Sequence, residues 1–206
     1  MDRIIQIKKE KKVIEGTVIY EEGDLIEALF DSAPEISVGD QLPCLLTSDY
    51  ETFSNFQGVV VAREKNRLFF FYSPTVTEFR EQRRRYPRFD MDIKGWLQYR
   101  AQEPVTLFSV NSLMVDLVNL SLGGLAFRSD RQVPADASLF FSAELYGRNR
   151  PDGVIKGEIQ VIHEQQKAPY FLYGCTFRGL TGRYFHNLRK YILQRQLEER
   201  RQCHKE

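Results

Sequence analysis

The chain has 206 residues, with 29 lysines and arginines against 28 aspartates and glutamates, a net charge of +1, and 42% hydrophobic residues. This balance excludes a disordered chain and argues against a protein that coats long nucleic acids, which needs a large cationic excess. The length allows two domains of about a hundred residues each. No apolar run approaches the roughly twenty residues of a membrane helix, and residues 1–6 lack the apolar stretch of a secretion signal, so a cytoplasmic protein without membrane insertion is expected.

The N-terminal third reads as short strands. Residues 13–20 are mostly β-branched, 25–30 follow the turn signal Glu22-Gly23-Asp24, and 42–47 follow Gly39-Asp40. Residues 56–62 and 68–72, separated by the polar 63–67, suggest a hairpin. Short strands at this spacing indicate a small barrel or sandwich over 1–74, with no catalytic constellation in it. Cys44 falls in an apolar strand pattern, as does Cys175, and both read as small core residues. With Cys203 in a tail expected to fray, the three are odd in number, far apart and without a C-x-x-C pair, so neither a disulfide framework nor a zinc site is expected.

Residues 75–88 connect to a second domain spanning 89–206. Arg83, Arg84, Arg85 and Arg88 place four arginines in six positions, which as a bare charge run is a solvated linker. Pro87 fixes its own φ and biases Tyr86 to extended geometry, so this segment ends as an extended or turning chain. A long strand over 89–99, with a bend expected at Gly95, comes next. Further strand-like runs cover 113–120, 125–128, 139–145, 154–163 and 171–177, and six strands suit a closed barrel. Between the second and third of them, Asn119-x-Ser121-x-x-Gly124 forms a polar turn in which Gly123 and Gly124 let a backbone approach a ligand closely. After residue 182 the period changes: Phe185, Leu188 and Ile192, with Tyr184 and Tyr191 beside them, fall at helical spacing. That helix is expected to pack on the barrel and to send Glu198-Glu199-Arg200-Arg201 into solvent.

The pair R-x-x-x-R (Arg84, Arg88) followed by [D/N]-x-S-x-x-G (Asn119, Ser121, Gly124) resembles the signature of the PilZ domain, a bacterial β-barrel module that binds the second messenger cyclic di-GMP. The resemblance covers about 80–200, and the residues before it resemble, more loosely, the N-terminal barrel of the flagellar-brake type. It implies a mainly β protein: two small β-barrels in tandem with a C-terminal α-helix packed on the second. It also implies a nucleotide-binding receptor with no cofactor and no catalytic or metal site. Its ligand residues would be Arg83, Arg84, Arg88, Asn119, Ser121, Gly123 and Gly124.

The residue types suit that ligand. An arginine fork donates two parallel hydrogen bonds to a phosphate or to the N7/O6 edge of guanine, and its face stacks on a purine, which lysine does poorly. Asn119 would offer its amide to a guanine, and Ser121 its hydroxyl to a guanine amino group or a phosphate. Because the arginines lie in the connection, ligand uptake would order it and reorient the domains. The expected output is signal transduction to a protein partner in the flagellar motor or in polysaccharide synthesis, with no nucleic acid polymer involved.

Three other readings stand beside this one. An enzyme is disfavoured, because His163, His186 and His204 lack metal-ligand spacing and no G-x-S-x-G or Cys/His arrangement occurs. An RNA-binding barrel could use Phe69, Phe70, Phe71 and Tyr72 as a stacking platform, although consecutive aromatics on a strand face opposite ways, so at least half of them belong in the core. A ligand-free adaptor of the same fold would be expected to lack the motif arginines, and both are present.

Overall fold

The structure, a computed structural model, describes residues 3–48, 52–72, 86–100, 110–134, 138–146, 151–180 and 182–203. It divides into two compact units, Met1–Tyr86 and Pro87–Glu206. The described residues form twelve strands and a C-terminal helix.

In the first unit β1 (Arg3–Lys9), β2 (Lys12–Glu22), β3 (Leu25–Leu29), β4 (Gln41–Ser48), β5 (Thr52–Glu64) and β6 (Arg67–Phe71) close into a barrel of order β1-β2-β3-β6-β5-β4. The second contains β7 (Phe89–Arg100), β8 (Val110–Ser121), β9 (Gly124–Ser129), β10 (Leu139–Tyr146), β11 (Pro151–Lys167) and β12 (Tyr170–Phe177). It closes in the same order, β7-β8-β9-β12-β11-β10, every neighbour antiparallel. Closure leaves no unpaired sheet edge in either barrel.

Each barrel is filled by the inward half of its alternating strands. Ile5, Ile7, Ile26, Leu68 and Phe70 meet in the first; Leu97, Leu117, Phe127, Phe141 and Tyr173 are fully or almost fully buried in the second. Cys44 and Cys175 are core residues as expected, and burial pushes their thiols up to about 11 and about 12. The Phe69–Tyr72 run offers no open stacking platform: Phe69 and Phe70 are fully buried and the other two half-buried.

Three local expectations are corrected. The N-terminal barrel has a strand before 13–20: β1 pairs with both β2 and β4 and closes the barrel. The irregularity in β7 is a bulge between Asp90 and Ile93, not a bend at Gly95. Gly95 instead makes room for Phe141, whose ring atoms lie 2.5 Å from where a Cβ would stand.

The third correction concerns the helix, α1 (Gly182–Cys203), which packs on the second barrel along most of its length. Leu188, Tyr191, Ile192 and Gln196 are buried. The Asn187 amide donates to the Val154 carbonyl (3.0 Å), the Tyr191 hydroxyl to the Met91 sulfur (3.6 Å), and the Arg195 guanidinium lies 5.6 Å from the Phe89 ring centre. Of the four tail residues expected in solvent, Glu199 and Arg201 are exposed, whereas Glu198 and Arg200 are half-buried.

Candidate functional site

Two sequence features separated by about thirty residues meet at one end of the second barrel. Arg88 immediately precedes β7, one residue before the Phe89–Leu120 pair, so antiparallel register sets it level with Ser121 at the end of β8. Asp90 pairs with Asn119. Arg88 is exposed and Asn119 half-buried. Arg83 and Arg84, the other expected ligand arginines, lie outside the described residues, as does Arg85.

The turn from β8 to β9 is held by its own hydrogen bonds and by β12. The Ser121 hydroxyl donates to the Gly124 carbonyl (3.2 Å), and the Gly123 carbonyl accepts from Thr176 Oγ1 (3.1 Å) and from the Phe177 amide (3.3 Å). A Cβ on Gly124 would stand 2.1 Å from the Cys175 carbonyl oxygen. The room that glycine creates at 124 is thus filled by the backbone of β12. Gly124 fixes the turn, and a neighbour rather than a ligand occupies the gap. Ser121 is 8% exposed, and its proton is engaged, but its oxygen keeps acceptor capacity for a donor such as an amino group.

Strand pairing brings further residues to this outer face that local sequence patterns do not connect with the motif. Ala126 pairs with Asn119 and Gly174, and Gly174 with His163. Arg128, exposed, lies 5.6 Å from the Tyr170 ring centre, and Arg178 donates through Nε to Gln160 (2.8 Å). The one local signal for any of these was a glycine inside the apolar run 171–177. Guanidinium, amide and hydroxyl groups on the outer face of the barrel suit a ligand with phosphates and planar bases. Among the described residues no group of three or more His, Cys, Asp or Glu is placed to hold a metal ion, and no helix is long and apolar enough to cross a membrane.

No curated protein matches the chain. Among solved structures it is similar to the Bacillus subtilis inhibitor of motility MotI/DgrA, at 15% identity over 97% of both chains and a TM-score of 0.45. It is similar also to K. pneumonia MrkH in complex with c-di-GMP, at 18% identity over 97% of this chain and 90% of that one, TM-score 0.42. A third likeness is Escherichia coli YcgR in complex with c-di-GMP, at 16% identity over 98% and 88%, TM-score 0.41. A family model described as PilZ domain matches residues 82–194, more than half of the chain. The arginine before β7 and the Asn-Ser-Gly turn after β8 both lie inside that match, and the chain belongs to the PilZ domain family.

Proposed function

We propose that the chain is a cyclic di-GMP receptor whose ligand is held by Arg83, Arg84, Arg88, Asn119 and Ser121, at a turn that Gly123 and Gly124 shape. The observation that carries the reading is the register of β7 against β8, which sets Arg88 level with Ser121 inside the PilZ match. A guanidinium fork and an amide on one face complement the phosphate and the guanine edge of such a nucleotide. Gly123 and Gly124 act here by fixing the turn, and Ser121 by accepting a hydrogen bond.

The motif arginines belong to the segment that joins the two units, so nucleotide taken up there biases how the units are oriented. The output is a population shift that presents a surface to a protein partner, with no chemistry done on the ligand. By the resemblance, that partner belongs to the flagellar motor or to polysaccharide synthesis, in the cytoplasm. Calorimetric titration of the full chain tests the reading: cyclic di-GMP binds, and Arg84→Ala and Arg88→Ala each weaken it. Equal binding by both variants contradicts the assignment.

A further inference from the structure

We infer that the outer face of β7 and β10 is the contact surface between two copies of this chain, with Trp96 of each copy seated in a hollow on the other.

In the closed order β7-β8-β9-β12-β11-β10, β7 and β10 lie across the barrel from β12 and β9, so this face looks away from the sheet that β9 and β12 form. Leu97, Phe141, Ala143 and Leu145 are buried, so the residues that alternate with them, Trp96, Phe140, Ser142, Glu144 and Tyr146, point outward. Lateral pairing sets Trp96 between Met114 on β8 and Ser142 on β10, and Val154 on β11 beside Glu144.

Trp96 is 52% exposed, Met114 and Tyr146 51%, Phe140 and Val154 40%. An aromatic side chain presents about 150–250 Å², so these five together leave roughly 500 Å² of apolar surface in water. The largest patch on an ordinary monomer is about 300–600 Å² and is often functional. Lys94, Gln98, Glu144 and Lys156 border the patch and are all exposed; with them the face reaches the roughly 800 Å² per partner that a standard interface buries.

Shape and charge both favour a like partner. Beside the Trp96 ring, the small Ser142 leaves a hollow of about 690 Å³ whose walls include Tyr146 and Val154. One face thus carries a projecting indole and a recess, which suits a two-fold contact in which each copy meets the same patch on the other. The charges at its centre are matched within each copy. Lys94 pairs with Asp116, the Tyr146 hydroxyl donates to the Glu144 carboxylate, and the Lys156 ammonium lies 5.5 Å from the Phe140 ring centre. Asp92 also lines the hollow, but it is exposed and about 13 Å along β7 from Trp96, at the rim where it keeps its water. A second copy therefore brings little repulsion, and a strongly acidic or basic partner would find few charges left to pair with.

Trp96 is the chain's single tryptophan, so its fluorescence reads this face directly. The test is sedimentation velocity of the full chain from about 1 to 200 μM, with an emission spectrum at each concentration, for wild type, Met114→Lys and Phe140→Glu. Wild type is expected to pass from monomer to dimer over that range, its emission shifting to the blue as Trp96 leaves water. Both variants place a charge at an exposed position, so their melting temperatures should stay near that of wild type. Their dimers should be weakened about tenfold or more, with emission held at the monomer's position. Should one variant unfold, the other and the wild-type emission decide. A chain that stays monomeric throughout overturns the inference and leaves the face to a different protein. A dimer that forms without a change in Trp96 emission, or that both variants leave intact, overturns it too, because another face then makes the contact.

Discussion

Arg88 and Gly124 lie at the same end of the second barrel and fail in different ways when changed. Arg88 is exposed before β7, so Arg88→Ala should leave the melting temperature unchanged while weakening cyclic di-GMP binding by about tenfold to a hundredfold. Arg88→Lys keeps the charge without the fork, and titration should show it weakened as well. Gly124→Ala instead drives a methyl group into the Cys175 carbonyl. That overpacking costs about 1–3 kcal/mol, so thermal unfolding should reveal a loss of several degrees before any ligand is added. A Gly124→Ala protein that melts like wild type would mean that β12 yields at little cost.

At the scale of elements, β12 ties the barrel together. The Tyr173 hydroxyl accepts the Val133 amide at 2.9 Å across forty residues of sequence, and burial raises the pKa of that hydroxyl. Tyr173→Phe orphans a buried donor at a cost of about 1–3 kcal/mol, and hydrogen exchange at Val133 should accelerate while the barrel stays folded. Short apolar runs bounded by turn residues were legible in the sequence: β3, β6, β10 and β12 fall within a residue or two of their expected spans. β1 was not, because Arg3, Lys8 and Lys9 flank only three isoleucines and its pairing is with distant β4 as well as β2. For Gly95 and Gly124 the sequence displayed the glycine but not the reason for it, which lies in Phe141 and Cys175 on other strands. The motif residues were readable from their spacing. That Gly174 and His163 lie level with Asn119 was not readable, since only long-range pairing brings them there.

Over the whole molecule, each barrel has its own core and one buried thiol. Below pH 9 folded and unfolded chains both hold the thiol proton, so these groups give no pH dependence. Between pH 9 and about 11 for Cys44, or about 12 for Cys175, the unfolded chain releases the proton and the folded chain does not, so stability falls as pH rises. Denaturant melts between pH 8 and 10.5 should show this decline, and Cys175→Ala should make it shallower for the second barrel. A thiol reagent at pH 8 should label exposed Cys203 alone in the native chain and all three cysteines once it is unfolded. With the proposed binding face on the second barrel, cyclic di-GMP at a hundred times its Kd should stabilise that barrel by about 2.7 kcal/mol. The most direct measurement of the receptor claim is calorimetric titration of the full chain with cyclic di-GMP beside GTP and cyclic di-AMP. The account predicts saturable binding of cyclic di-GMP alone, weakened in Arg88→Ala; no heat with cyclic di-GMP, or equal heat with all three nucleotides, contradicts it.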